Sequence, residues 1–316
     1  MFSNLKISNF RFCLQAIDRI LLPEFKGSAF RGGFGHSFKK VVCTFKNKTD
    51  CLSCMLKEKC LYSYIFETIT QSKINLLKKS HKFPHPFIIE SENNKKRIYE
   101  PGENFGFDLI LIGRAIEYVP YFIYSFKLMG NSGIGKGRGT YFLKKVFSTD
   151  FNGNSRLVYD GIKQVLTNKY FVVSGDKLME NGSINTEKIS LDFITPTRIK
   201  YERKLIDRPE FHILMRNVFR RLSLLMYRHC DIVLNFNHKK LIEEAEKVEI
   251  HNSELKWFDW ERYSNRQKTR MKMGGFIGKI TYKGELVPFI QFLKIGEYIH
   301  IGKNVSFGLG KYKIVN

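Results

Sequence analysis

Four cysteines are the side chains in this sequence with the clearest chemistry, and they lie within eighteen residues of one another. Cys43, Cys51, Cys54 and Cys60 follow the pattern C-x7-C-x2-C-x5-C. A Cys-x-x-Cys pair with two further thiols supplies the four ligands of a tetrahedral zinc site. Because four protein ligands leave no open coordination position, we expect this zinc to be structural. The same thiols could instead hold an iron–sulfur cluster or stay unliganded.

The surroundings of these cysteines favour a metal over a disulfide. Nearby lysines would help to keep the thiols deprotonated, and they are Lys46, Lys48, Lys57 and Lys59. The two other cysteines, Cys13 and Cys230, are far away in sequence. Disulfides are rare in the cytoplasm, which is the compartment that we expect for this chain.

A glycine-rich stretch near the end of the chain could bind phosphate. Residues 301–312, IGKNVSFGLGKY, combine Gly302, Gly308 and Gly310 with Lys303 and Lys311. Glycine lets a backbone approach a ligand closely, and loop N–H groups can bind anionic oxygens. The stretch therefore predicts a cradle for the phosphates of a nucleic acid. The alternative is a glycine-rich hairpin at the end of a sheet.

Further basic side chains occur in three segments that we predict to be exposed. The first is a second glycine-rich loop at residues 130–139, and the second is one face of a helix that begins near Pro209. The third is the basic segment 262–275. We expect nucleic-acid contacts from Lys136, Arg138, Arg216, Arg220, Arg266, Lys268, Arg270 and Lys272. For the helix, a solvated basic face is the alternative.

The composition favours a polyanionic partner. The chain carries 53 Lys and Arg against 30 Asp and Glu, a net charge of +23. Such self-repulsion argues against an enzyme of small metabolites and for binding to nucleic acid. A hydrophobic content of 43% excludes intrinsic disorder. We find neither a signal-peptide pattern nor an apolar run of about 20 residues, so we expect a cytoplasmic protein with no membrane partner.

The elements that must position these groups can be predicted from periodicity. Residues 5–20 alternate as a strand does, and residues 28–42 predict a helix. In that helix Phe30, Phe34 and Phe38 recur every four residues and should form the buried stripe. Glycines at three of its positions indicate a close approach, by either RNA backbone or a neighbouring helix. The basic and titratable residues off the stripe are Arg31, His36, Lys39 and Lys40.

The length and the repeated order of elements predict two domains. Each half runs strand, helix, strands and basic glycine loop, as a duplicated β-α-β-β-α-β unit would. We therefore predict an α+β fold of tandem ferredoxin-like (RRM-like) domains, residues 1–188 and 189–316. A cysteine-rich zinc lobe at about residues 43–66 would be inserted in the first domain. The strands predicted near the end of the chain are residues 276–282, 285–293 and 298–301.

Three segments resemble the CRISPR precursor-RNA processing endoribonucleases of the RAMP superfamily. They are KGSAFRGGFGHSFKKVVC from residue 26, CLYSYIFET from residue 60 and GEYIHIGKNVSFGLGKY from residue 296. The resemblance implies tandem ferredoxin-like domains, a CRISPR repeat-RNA substrate and cleavage without a metal ion. It also implies products with a 2′,3′-cyclic phosphate and a 5′-hydroxyl. Only part of this family carries a cysteine lobe.

The resemblance further implies a general acid/base, usually a histidine near the first helix, and His36 matches that position. Histidine suits the task because its ordinary pKa of about 6.5 leaves both protonation states accessible at neutral pH. Lys39 or Lys40, together with Arg31, would stabilise the charge of the transition state. His300 is the alternative base, because it precedes the terminal glycine loop and should face the ligand side of a strand.

Two other function classes fit the same residues. One is a non-catalytic RNA-binding RAMP subunit of a CRISPR effector complex, which would add effector subunits to the partners. The other is a zinc-bearing regulator that binds duplex DNA, although the sequence has no helix-turn-helix or zinc-finger pattern. Cleavage of repeat RNA distinguishes the enzyme from both.

Overall fold

The chain forms two compact units in a computed structural model. The first unit comprises residues 4–174 and 228–231, and the second comprises residues 1–3, 175–227 and 232–316. The division falls near residue 175, whereas the sequence analysis placed it after residue 188. The structure describes residues 1–45, 50–68, 83–92, 94–150, 152–179, 186–264 and 269–315.

In its described residues the first unit has a main antiparallel sheet, a separate sheet formed by two short strands, and two α-helices. Its strands are β1 Lys6–Ala16, β2 Ile20–Leu21, β3 Phe87–Ser91, β4 Ile98–Tyr99, β5 Asn104–Ile112, β6 Tyr141–Thr149, β7 Ser155–Asp160, β8 Val165–Leu166 and β9 Val173–Ser174. Its α-helices are α1 Gly27–Val42 and α2 Val119–Ser132. The strand order β3-β5-β1-β6-β7-β8 places β1 between β5 and β6, with Phe12 opposite both Phe107 and Val146. The elements β1-α1-β3-β5-α2-β6 therefore form a ferredoxin-like β-α-β-β-α-β unit.

The predicted aromatic stripe of α1 forms the centre of the first core. Phe30, Phe34 and Phe38 are fully buried, and Phe34 stacks on Phe122 and Phe126 of α2 at ring distances of 5.1 and 4.9 Å. Two glycines of α1 make this packing close, since an added Cβ at Gly33 would overlap Met129 and one at Gly35 would overlap Phe66. Gly32 has open space around it. At Gly33 and Gly35 the close approach is thus made by packing within the protein.

The second unit repeats the same topology. Its strands are β10 Lys188–Thr197, β11 Ile199–Tyr201, β12 Lys204–Ile206, β13 Glu249–Ser253, β14 Lys256–Phe258, β15 Glu261–Ser264, β16 Thr269–Lys272, β17 Gly275–Lys283 and β18 Tyr312–Val315. Its helices are α3 Phe211–Cys230, α4 His238–Ala245 and α5 Val287–Ile299. The main sheet has the order β13-β17-β10-β18, so β10 lies between β17 and β18 as β1 lies between β5 and β6. The predicted tandem ferredoxin-like fold is confirmed.

One predicted part of the second unit is wrong. Residues 285–293 and 298–301 were expected to be strands, but α5 covers most of the first range and half of the second. Its buried side chains include Phe289, Phe292 and Ile299, whose spacing of three and seven residues fits one helix face. Short apolar runs do not distinguish a buried helix from a strand, which explains the error. None of the helices in the described ranges has the length and apolar character needed to cross a membrane.

Candidate nucleic-acid interface

His36 lies on the solvent-exposed side of α1, away from the phenylalanine stripe. The pKa of its imidazole is below the ordinary value of 6.5, first because partial burial disfavours the charged form. The positive charges of Lys40 and Arg138 lower the pKa further. A lowered pKa keeps the ring neutral at pH 7, so it can accept a proton. We call His36, Lys40 and Arg138 the His36 cluster.

The second glycine-rich loop brings Arg138 to this cluster. It runs from α2 to β6, and its backbone has positive φ at Gly133, Gly135, Gly137 and Arg138. An added Cβ at Gly135 would overlap the carbonyl of Leu21, and the next N–H, that of residue 136, donates to that carbonyl at 2.9 Å. The loop is therefore held against β2. Lys136 and Arg138 are both exposed.

Two basic residues that we expected beside His36 lie elsewhere. The ammonium of Lys39 is 5.5 Å from the centre of the Tyr62 ring, and Lys39 lines the same cavity as Cys51, whose pKa it lowers. The guanidinium of Arg31 lies 4.3 Å from the centre of the Phe66 ring, with Nη2 3.3 Å from Nε2 of His85. Of the predicted cations on α1, Lys40 is therefore the one that acts on His36.

In the terminal glycine loop, N–H groups that we expected to bind phosphate donate to other protein atoms instead. The N–H of Lys303 donates to Arg198 O at 2.9 Å, and that of Gly310 donates to Pro196 O at 3.2 Å. The N–H of Lys311 donates to Thr195 Oγ1 at 2.9 Å. The glycines serve the same close packing, because an added Cβ at position 310 would overlap the carbonyl of Ile301. The loop is therefore mostly buried, and its N–H groups attach it to residues 195–198.

What this loop presents to solvent is the side chain of Lys303. Partial burial lowers the pKa of its ammonium, and the charges of Lys200, Arg198 and Arg220 lower it further. These four cations come from the glycine loop, β11, the β10–β11 connection and α3, and we call them the Lys303 cluster. Because like charges repel, a polyanion that bound to this group would relieve the repulsion among its members.

The structure fixes Arg198 at the centre of this cluster. Its guanidinium donates to the backbone oxygens of Lys272 and Gly274 at 2.9 and 3.2 Å. The sequence analysis did not select Arg198 or Lys200, because it did not recognise the β11–β12 hairpin. The basic run RIKYERK, residues 198–204, was the signal available there.

The remaining basic residues that we expected to contact nucleic acid differ in exposure and in ion pairing. Arg216 is ion-paired with Glu246, which directly follows α4, at 3.0 Å, whereas Arg220, one turn later, is exposed in the Lys303 cluster. Arg270 and Lys272 are exposed on β16. Arg266 and Lys268 lie outside the described residues.

His300 occupies a buried position instead of the predicted ligand-facing strand. The residue is fully buried directly after α5 and has a positive φ of 56°. Its Nδ1 is 3.1 Å from the carbonyl oxygen of Leu309 in the glycine loop. Lys311 and Gly308, also expected to contact nucleic acid, are half-buried and buried. This geometry gives His300 a part in holding the loop.

The four cysteines of the predicted zinc lobe line one cavity in the first unit. Cys43, Cys51, Cys54 and Cys60 are free thiols around a space of about 20 Å³, next to Lys39 and Tyr62. Burial raises the pKa of Cys51, an effect that Lys39 opposes. Four thiols are a donor set that suits zinc. Within the described ranges, however, no three His, Cys, Asp or Glu side chains form a group that could hold a metal ion.

Comparison with known proteins relates each unit to a family. Residues 5–170 match the N-terminal domain family AF_1859_N, and residues 191–312 match the family CRISPR-associated endoribonuclease Cas6. An Archaeoglobus fulgidus protein described as uncharacterized is 27% identical over 300 residues, covering 93% of this chain and 92% of its own length.

Solved structures of Cas6 proteins share the fold of the whole chain. A product complex of Cas6 (TTHB231) has a TM-score of 0.57 at 14% identity and covers 98% of this chain and 99% of that one. The Thermus thermophilus Cas6 (TTHB231) structure gives 0.55 at 13%, with coverage of 98% and 99%. A chain of a partial Cas6-RT-Cas1–Cas2 complex gives 0.57 at 13%, but this chain spans only 46% of it.

Proposed function

Because the chain is a RAMP-type protein of CRISPR RNA processing, with a Cas6 endoribonuclease domain in its second unit, we propose that it cleaves CRISPR repeat RNA without a metal ion. The substrate would be the repeats of precursor crRNA, bound and cut in the cytoplasm. The products would end in a 2′,3′-cyclic phosphate and a 5′-hydroxyl.

The observation that carries this proposal is the exposed imidazole of His36 on α1, whose pKa is lowered by partial burial and by the charges of Lys40 and Arg138. RNA contains its own nucleophile, so the protein has only to align the 2′-hydroxyl with the phosphate and to manage protons and charge. In our mechanism His36 takes the 2′-hydroxyl proton while the 2′-oxygen attacks phosphorus. The bond to the 5′-oxygen breaks, and that oxygen takes a proton from solvent.

Lys40 and Arg138 have the second role in this mechanism. The transition state carries more negative charge on the phosphoryl oxygens than the substrate does, so fixed positive charges stabilise it preferentially. The same charges depress the pKa of His36. Lys40 and Arg138 therefore have two effects: they favour the neutral form of His36, and they stabilise the negative charge of the transition state.

The test of this function is single-turnover cleavage of repeat RNA in the presence of EDTA. We expect cleavage at one position, blocked by a 2′-deoxy substitution at that position, since the nucleophile is then missing. Binding without cleavage would instead support a non-catalytic RAMP subunit of a CRISPR effector complex. Cleavage that survives the 2′-deoxy substitution would contradict the mechanism.

The pH dependence of cleavage should report the environment of His36. A general base must be deprotonated, so kcat/KM falls as the pH drops through the lowered pKa of the free enzyme. Arg138→Gln removes one cation that disfavours the imidazolium, so that pKa should rise and the acid limb should move to higher pH. Lys136→Gln, in the same loop, should leave the acid limb in place. An unmoved limb in Arg138→Gln would contradict a His36 base.

We also propose that Cys43, Cys51, Cys54 and Cys60 bind one structural zinc ion. The support is the common cavity that the four thiols line. Zinc binding would require the sulfurs to move toward the centre of the cavity, to about 2.3 Å from the ion. The ion would brace this lobe and take no part in cleavage.

Elemental analysis of protein purified without chelators should give one zinc per chain. Cys54→Ser should lose the metal and lower the melting temperature, because thiolate ligation contributes directly to folding. Cys13→Ser is the matched control, since this half-buried thiol does not line the cavity, and it should keep the zinc. Metal-free wild-type protein would disprove the site.

A further inference from the structure

The turn between β11 and β12 holds two residues in a backbone conformation that their side chains disfavour. Tyr201 pairs with Lys204, so Glu202 and Arg203 are the central residues of the turn. Their φ angles are 47° and 67°. Positive φ at both central residues is the mark of a type I′ turn, which strongly prefers Asn-Gly or Asp-Gly. Glutamate and arginine therefore make this turn less stable than its usual sequences would.

This hairpin begins inside the Lys303 cluster. Arg198 directly precedes β11, and Lys200 lies on it. Arg203 lies in the turn that follows β11, three residues after Lys200 in the chain. The side chains of Lys200, Arg203 and Lys204 are all exposed. The hairpin thus continues the positive surface of the cluster outward.

The β11–β12 hairpin packs against other elements of the second unit through side chains of β11. Ile199 is fully buried, and the ring of Tyr201 meets His212 edge-on at 5.7 Å. With its base fixed in this way, the turn has a defined position relative to Lys303. A rigid contact binds more tightly than a flexible one, because less conformational entropy is lost on binding.

We propose that this turn is a further phosphate contact for the repeat RNA, made by Arg203 to the strand that leaves the Lys303 cluster. The inference rests on the proposed RNA-binding function. Arginine suits the position because its planar guanidinium can donate two parallel hydrogen bonds to a phosphate. Residues that break a local conformational preference are concentrated at functional sites, where the strain serves binding.

The test replaces the strained turn with its preferred sequence. The double variant Glu202→Asn/Arg203→Gly removes one negative and one positive charge, so the net charge of the chain is unchanged. Relief of strain should raise the melting temperature by roughly 2–4 °C. Loss of the arginine contact should weaken binding of a 2′-deoxy-blocked repeat RNA about tenfold. The slope of log K against log salt should become shallower by about 0.7.

Two comparisons separate this inference from the function on which it rests. Gln164→Gly relieves a positive φ of 56° in the first unit and should leave RNA affinity unchanged. If wild-type protein does not bind repeat RNA, the proposed function fails. If wild type binds and the double variant binds equally well, this inference alone is overturned. A lower melting temperature in the double variant would overturn its premise of strain.

Discussion

Replacing His36 with alanine should slow single-turnover cleavage of repeat RNA by about 10²–10⁴-fold, the usual loss when one proton-transfer group is removed. The reason is that the 2′-hydroxyl is a weak nucleophile until its proton is taken, and in the proposed mechanism the exposed imidazole of His36 takes that proton. The side chain is exposed on α1, so its removal should cost little stability. Binding of a 2′-deoxy-blocked repeat should therefore stay near the wild-type affinity.

The control for this variant is His251→Ala, which removes another exposed histidine, on β13. It should cleave at the wild-type rate. Cleavage by His36→Ala at the wild-type rate would rule out His36 as the base. If His300→Ala then lost cleavage while keeping its melting temperature, the role would pass to the terminal loop. We expect His300→Ala to lose stability instead, because its side chain is buried against Leu309.

Reversing the charge of Lys303 should weaken RNA binding by roughly 10–100-fold. Lys303→Glu would delete the phosphate contact that we expect from Lys303, and it places a carboxylate near Arg198, Lys200 and Arg220, where it would neutralise their charges. The carboxylate would also repel the RNA backbone. The salt dependence of log K should become shallower by at least about 0.7, the value for one phosphate contact on a single strand.

Lys239→Glu is the matched control, because it makes the same change in net charge on α4. The side chain of Lys239 is 90% exposed and lies 3.8 Å from Glu243. We expect less than about a threefold loss of RNA affinity from this variant. Equal losses from the two reversals would mean that RNA is attracted by the net charge alone, and the Lys303 cluster would not be a binding site.

The sequence alone determined the features that depend on near neighbours in the chain. The four-residue recurrence of Phe30, Phe34 and Phe38 predicted α1 and its buried face, and both were correct. The net charge of +23 indicated a polyanionic partner. The order of elements predicted the tandem ferredoxin-like fold. Periodicity was insufficient for α5, where a short apolar run suited helix and strand equally.

Only the tertiary structure decided which charged groups meet. Arg216 and Arg220 are equivalent in sequence, one turn apart on α3, yet Arg216 is neutralised by Glu246 and Arg220 faces Lys303. Lys39 and Lys40 are adjacent, yet Lys39 lowers the pKa of Cys51 and Lys40 lowers the pKa of His36.

In the terminal glycine loop, too, the sequence did not identify the partners of the N–H groups. Its sequence indicated N–H groups free for phosphate, whereas the fold uses those of Lys303, Gly310 and Lys311 to attach the loop to residues 195–198. Sequence spacing sets the direction of a side chain or an N–H group on its own element. The partner of that side chain or N–H group depends on which other element packs against it. The packing of elements depends in turn on contacts between residues that are far apart in the chain.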